Sequence, residues 1–275
     1  MKRRQLLQGF GLLPIATLFR YSFGTEKTPL EKATKQISAK PQDQTASLTY
    51  KLNGPSPDLT FNNFFIYRES EVAYGMAHKV CSLKSSSPVS PFIITGACGN
   101  GTTHLAHAIA NELLSQSPHR RVHIVSAERY LNHCIQSARR SEMQNFRKFY
   151  RESIDVLIVD DFHYIQRGQF VQEEMIHTLK ELQKRGCLVI LTADTYIHDQ
   201  VDLHKDMTDV LHGGLSAHIN SPKLNSRKSL FRYFAAKYDV ALSKNQINIL
   251  AKECLSVRWI QGQVKKIQLK KELGV

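Results

Sequence analysis

Pro91-Phe92-Ile93-Ile94-Thr95-Gly96-Ala97-Cys98-Gly99-Asn100-Gly101-Thr102-Thr103-His104-Leu105 decides how the rest of the chain reads. Phe92 to Ile94 is a short apolar run that predicts a buried strand. A loop with glycines at 96, 99 and 101 follows. Leu105, Ala106, Ala108, Ile109, Leu113 and Leu114 then recur at helical spacing. Strand, glycine-rich loop and helix together make a phosphate cradle, in which backbone N–H groups and a helix N-terminus converge on one anion. The full pattern is G-x-x-x-x-G-K-[ST]. Gly96 and Gly101 have its separation and Thr103 supplies its hydroxyl, but Thr102 stands where the lysine belongs. The bland alternative is an incidental glycine turn.

The change at position 102 bears on chemistry more than on shape. A threonine hydroxyl is too short to reach β- and γ-phosphates and carries no charge. The loop (Gly96, Gly99, Asn100, Gly101, Thr102) and the first helical turn (Thr103, His104) still read as phosphate-binding residues, and Thr103 as a Mg²⁺ ligand. Phosphoryl transfer rests on positioning plus charge stabilisation, so turnover should suffer most.

Working outward, Ile154-Asp155-Val156-Leu157-Ile158-Val159-Asp160-Asp161 reads as a central parallel strand ending in two carboxylates. That end of an open α/β sheet is where ligands bind. Asp160 is placed to hold the metal through water and Asp161 to polarise an attacking water; alone, the pair reads equally well as a turn or helix cap. Cys187 to Asp194 is a further buried strand with a polar end.

The 275 residues suffice for one large α/β domain and a small satellite, and 42% hydrophobic content is ample for a core. The net charge of +13 favours an anionic partner such as nucleic acid. From Lys223 to Val275 there are twelve Lys/Arg against three Asp/Glu, and Arg139, Arg140, Arg147, Lys148 and Arg151 form a second basic cluster. A solvated surface is the competing explanation. The five cysteines are scattered and lack C-x-x-C spacing, so neither disulfides nor zinc are expected, and a reducing compartment fits.

Residues 1–20 form a basic apolar arm. Met1-Lys2-Arg3-Arg4 and the apolar residues up to Phe19 resemble a signal sequence, even a twin-arginine one. A short amphipathic arm touching a membrane surface or a partner is the other reading. Cytoplasmic residence is the expectation and export the alternative. Residues 21–57 read as a tether. Beyond it, helices are expected over 69–83 (Val72, Met76, Val80 and Leu83 on the buried face), 127–138, 142–150 and 173–185. Arg121 to Val125 is a strand, Ser85 to Pro91 a polar loop, and Asp199 to His218 irregular. Three helices, roughly 225–238, 243–255 and 257–272, close the chain.

Together these stretches resemble the AAA+ domain of the bacterial DnaA family of replication initiators. The resemblance runs from Leu59 to about Leu273 and is carried by Leu59–Phe64, Gly96–Leu105, Val125–Tyr130, Phe146–Tyr150 and Ile154–Asp161. Gln172–Glu174, His177-Thr178, Leu191–Asp194 and Arg258 with Gly262 complete it. It implies an α/β fold: an AAA+ P-loop-type parallel sheet flanked by helices (58–222), followed by a small helical lid (223–275). It also implies ATP or ADP with Mg²⁺ in the seam, and assembly on DNA. By position, Thr103 and Asp160 resemble the metal-side residues, Asp161 the hydrolytic position and Asp194 sensor 1. Arg258 resembles the lid arginine that touches phosphates, and Leu59–Phe64 the part beside adenine.

Departures from the family are as informative. The lysine is lost at Thr102. His212 and Gly214 fall near the family's arginine-finger positions. Gly168 and Phe170 fall where it uses basic residues against single-stranded DNA, and after the lid no helix-turn-helix domain is read. The expectation is a DnaA-like protein that binds nucleotide weakly, or only as diphosphate, hydrolyses it poorly, and acts on DNA, an initiator or a helicase, with self-assembly open. A slow ATPase, and a sequence-nonspecific DNA-binding accessory with a vestigial pocket, are the alternatives.

Overall fold

Five short strands form one parallel sheet: β1 (Phe92–Gly96), β2 (Val122–Ser126), β3 (Val156–Asp160), β4 (Leu188–Ala193) and β5 (Leu215–Ile219), in the order β2-β3-β4-β1-β5. The structure, a computed structural model, describes residues 50–82, 90–194 and 203–273. The arm of residues 1–20, the tether as far as residue 49, Leu83 and nearly all of the 85–91 loop lie outside the described residues.

Apolar side chains alternate across the sheet, as a strand covered on both faces requires. Phe92, Ile94, Ile124, Ile158 and Ile190 point to one side, where α1 (Glu71–Cys81) and α2 (Thr102–Gln116) pack. Ile93, Val125, Leu157, Val159 and Leu191 point to the other. There α3 (Ala127–Arg139), α4 (Met143–Glu152), α5 (Gln169–Lys184) and α6 (Lys205–His212) pack. After the sheet come α7 (Leu224–Lys237), α8 (Lys244–Glu253) and α9 (Val257–Glu272), joined through Leu230, Phe231, Phe234, Ile247, Ala251, Ile260 and Val264. Ser256 caps α9 by accepting from the Trp259 amide at 3.3 Å, which fixes where that helix begins. Among the described residues no helix is long and apolar enough to cross a membrane.

Four sequence expectations need correction. Within 199–218 the described part is regular: α6, a turn through Gly213-Gly214, and strand β5 paired with β1. Only Ala217 and Ile219 of β5 are buried, so this edge strand lacks the apolar run that would announce it. Helix α1 buries Ala73, Ala77, Val80 and Cys81, whereas Val72 is 74% exposed. Two alanines allow close approach to α2, and the small face rather than the large one turns inward. Helix α5 begins at Gln169, a turn before the expected start.

The fourth concerns residues 50–57, which pack against the sheet instead of continuing the tether. The Asn53 amide donates to His123 Nδ1 at 3.0 Å, and the Ile124 amide donates to the Asn53 carbonyl at 2.8 Å. Tyr50 stacks on Phe149 at 5.1 Å and hydrogen-bonds Ser137. The Ser56 amide donates to His107 Nδ1 at 2.9 Å. A polar stretch with one aromatic gives no periodic signal, because its partners are backbone groups and histidines elsewhere in the chain.

In the basic cluster of 139–151, Arg147 and Arg151 both grip Glu174, which is 5% exposed. Burial alone would raise that carboxyl, but the two guanidiniums outweigh it and hold it below the usual carboxylate range. This bond ties α4 to α5. Replacing Glu174 with Gln should lower unfolding stability by about 2 kcal/mol, since it strands Arg151 half-buried without its anion; an unchanged urea midpoint would refute this.

His123 gives a pH-dependent counterpart. Burial pushes its imidazole down to about 4, and its Nδ1 must stay unprotonated to accept from Asn53. The unfolded chain therefore binds the extra proton first. The stabilisation is complete above pH 6.5 and is lost as pH falls toward 4, with a slope of at most about 1.4 kcal/mol per pH unit. Thermal unfolding of His123→Asn should show a shallower decline than wild type across that window; parallel curves would contradict the assignment.

Candidate functional site

β1 runs into the glycine loop at Gly96, which pairs with Ile219 of β5. Gly99 has φ 84° and Gly101 φ 110°, conformations that side-chain-bearing residues rarely adopt. A Cβ on Gly99 would stand 2.9 Å from Arg258 Cβ, and one on Gly101 2.8 Å from the Phe64 ring. Both positions therefore require glycine for conformation and for space. Gly101 is the N-cap of α2, leaving the first amides of that helix aimed into the loop. Thr102 opens the helix, its methyl carbon 3.4 Å from where a Cβ on Gly96 would stand.

Asn100 is 1% exposed. Its Nδ2 donates to Ser221 Oγ at 3.0 Å, while its Oδ1, buried at the cleft wall, has no hydrogen-bond partner. Such an orphaned acceptor costs stability unless something meets it. The Tyr67 hydroxyl braces the same turn, reaching the carbonyls of Asn100 and Asn220 at 3.3 Å each. Burial raises its pKa well above the ordinary phenol value, so it acts as a neutral hydroxyl.

Opposite the loop, Asp160 ends β3. Thr103 Oγ1 donates to its Oδ1 and Oδ2 at 3.0 and 3.2 Å. The Thr192 hydroxyl of β4 also donates to Asp160, and accepts from the Asp161 amide at 3.0 Å. Asp161 is a non-glycine residue at φ 54°. Burial raises its carboxyl pKa, with Asp160 and Asp194 adding to the rise and His163 and Arg258 opposing it. Asp194 Oδ1 lies 3.3 Å from His163 Nδ1.

The third wall comes from α7 and α9. The Arg258 amide donates to the Gly99 carbonyl at 2.9 Å, and its Nη1 reaches Cys98 Sγ at 3.6 Å. Tyr233, Phe234, Lys237 and Gln261 complete that side. His104 contacts Phe64 edge-on at 5.2 Å and bonds the Thr60 carbonyl at 2.8 Å. Burial holds its imidazole below the ordinary range, with the Lys237 charge contributing. The cleft has a volume of about 600 Å³.

The residues picked out by sequence meet in this one space: Gly96, Gly99, Asn100, Gly101, Thr102, Thr103, His104, Asp160, Asp161, Asp194 and Arg258 all line it. Tyr67, Thr192 and Lys237 were not singled out. Thr192 lies in the polar end of the strand read from Cys187 to Asp194, and the β3–β4 register, which pairs Val159 with Leu191, brings it beside Asp160. Tyr67 and Lys237 had no local signal; they arrive from elements far away in sequence.

Comparison with known proteins agrees with this geometry. Residues 56–218 match the family described as the bacterial DnaA ATPase domain. The chain is 38% identical over 217 residues to the chromosomal replication initiator protein DnaA of Bdellovibrio bacteriovorus, covering 78% of this chain and 46% of that protein. It thus spans about half the length of the curated relatives it matches. Domain III of Thermotoga maritima DnaA superposes with a TM-score of 0.74 at 27% identity, over 81% of this chain and 92% of that one. A replication initiator DnaA bound to AMPPCP and single-stranded DNA shares the fold, with a TM-score of 0.73 at 24% identity over 81% and 68%. The glycine loop, the acid-ended strand and the helical wall are those of an AAA+ domain, and this chain belongs to the bacterial DnaA family.

Proposed function

We propose that this chain binds a nucleoside di- or triphosphate with Mg²⁺ between its glycine loop and the α7–α9 helices, turns it over poorly, and serves replication initiation or its control through contacts with DNA, an initiator or a helicase. The observation that carries the reading is the convergence of Gly99, Asp160 and Arg258 on a single cleft, with the Gly99 carbonyl bonded to the Arg258 amide. Thr103 and Asp160 offer one hydroxyl and one carboxylate. Among the described residues no group of three His, Cys, Asp or Glu forms a protein-only metal cage. That donor set suits Mg²⁺, which keeps several waters and takes phosphate oxygens. When bound, Mg²⁺ would neutralise phosphate charge, and in this reading Asp161 and Asp194 would orient a water.

Thr102 is the reason for assigning poor turnover. Its hydroxyl cannot neutralise the charge that develops during phosphoryl transfer, and electrostatic stabilisation is the main source of rate in that chemistry. In this reading residues 58–222 form the nucleotide-binding body and 223–275 the lid, and the protein is cytoplasmic. Self-assembly of the kind the family undergoes belongs to the same proposal. A second reading, a sequence-nonspecific DNA-binding accessory, draws on the net charge of +13, but Arg147 and Arg151 of its basic cluster are already engaged with Glu174.

Titration of the full chain with ATP and ADP, with and without Mg²⁺, separates these readings. Saturable binding strengthened at least about tenfold by Thr102→Lys, with turnover still low, is the expected outcome. Brisk ATP hydrolysis by the unaltered protein would overturn the loss of chemistry. Absence of any nucleotide response, beside DNA binding that falls steeply with salt, would favour the accessory. Thr103→Ala and Asp160→Asn should each abolish the Mg²⁺-dependent part of binding while leaving the metal-free part; equal effects with and without metal would remove these two residues from the metal side.

A further inference from the structure

Charge is distributed unevenly around the cleft. Among the described residues lining it, the carboxylates Asp58, Asp160, Asp161 and Asp194 belong to the sheet body and the segment before it. The two Lys/Arg side chains, Lys237 and Arg258, both come from the α7–α9 helices. The cradle contributes only backbone amides and a helix dipole, a partial charge set against several full ones on a polyphosphate. A bound Mg²⁺ and Arg258 would offset part of that charge, and Lys237 is the other cationic side chain in the described lining.

Lys237 is the last residue of α7 and is exposed, on a flexible four-carbon stem. Its Nζ lies 5.9 Å from the centroid of the Tyr233 ring, a weak hold at an exposed site. Tyr233 in turn packs on Phe65 at 4.6 Å, and the neighbouring Phe64 abuts both Gly101 and His104. Lys237, Tyr233, Phe65, Phe64 and Thr102 all line the one cleft, which puts Lys237 on the same cavity as the first turn of the cradle helix. We propose that Lys237 supplies the ammonium that position 102 lacks, reaching the phosphate chain of a nucleoside di- or triphosphate from the lid rather than from the cradle helix. The proposal rests on the nucleotide-binding reading above.

Relocating the charge changes what binding does. A cradle lysine would join phosphate to the body and leave the lid to Arg258. With both cations on the lid, the phosphate chain becomes the link between lid and body, and its presence fastens α7–α9 over the cleft. Binding and lid closure are then coupled to a degree that a lysine in the cradle would dilute.

The test is fluorescence titration of the full chain with MANT-labelled AMP, ADP and ATP in Mg²⁺. The proteins are wild type, Lys237→Gln, Lys237→Arg, Thr102→Lys, the Thr102→Lys/Lys237→Gln double variant, and Lys270→Gln as an equal charge change on the distal part of α9. Lys237→Gln should weaken ADP and ATP about tenfold and AMP less than about twofold, with the melting temperature unchanged. Lys237→Arg should keep affinity within about threefold, and Lys270→Gln should match wild type. In the Thr102→Lys background, loss of Lys237 should cost about threefold or less, because two groups that serve one purpose are not additive. Unaltered ADP and ATP affinity in Lys237→Gln would overturn the role of this lysine and leave nucleotide binding standing. An equal loss for AMP would assign it to the base or ribose instead and overturn the phosphate role. No binding by wild type and Thr102→Lys alike would overturn both the pocket and the lysine.

Discussion

The hydrogen bond from the Arg258 amide to the Gly99 carbonyl is the contact on which the cleft depends. It joins residues that are far apart in the chain, and it forms only because Gly99 adopts φ 84° with no Cβ in the way of Arg258. Any side chain at position 99 would push α9 away from the loop and open the cavity on that side. Ser256, by fixing the start of α9, decides which amide is presented there. A local cap and a local backbone conformation thus set the distance between two walls of the site.

On the other wall the same economy of means appears in hydroxyls. Thr103 and Thr192 both donate to Asp160, and Thr192 also receives the amide of Asp161. The Asp160 carboxylate is consequently oriented by neighbours from α2 and β4, while at Asp161 the backbone amide is what Thr192 holds. With Asp58 and Asp194 the body side of the cleft carries four carboxylates among the described residues, whereas its cationic side chains, Lys237 and Arg258, stand on the helical wall.

Much of this was legible in advance, for physical reasons. β1, β3 and β4 are covered on both faces, so they appear as unbroken apolar runs, and the glycines that interrupt the first run mark backbone that nothing else can occupy. β5 leaves no such mark, because an edge strand needs only alternate apolar residues, and Ala217 and Ile219 are too few to stand out. The buried face of α1 is not the one marked by its large apolar side chains, because close helix packing favours the small Ala73 and Ala77. Tyr67, Lys237 and the segment around Asn53 were invisible for another reason: each acts through a partner more than fifty residues away, or in a separate helix, and no local spacing records that.

The segment from Tyr50 to Asn53 has a consequence for handling and for the cell. β2 is the outermost strand on its side of the sheet, and an outermost strand with free backbone groups invites pairing with a second chain. Asn53 occupies part of that border, exchanging backbone hydrogen bonds with Ile124 through its carbonyl and with its side-chain amide. A fragment trimmed to begin after Pro57 would uncover this border together with the ring cluster beneath Tyr50. Poor solubility of such a fragment would then reflect a missing cover strip and not a defect of the cleft.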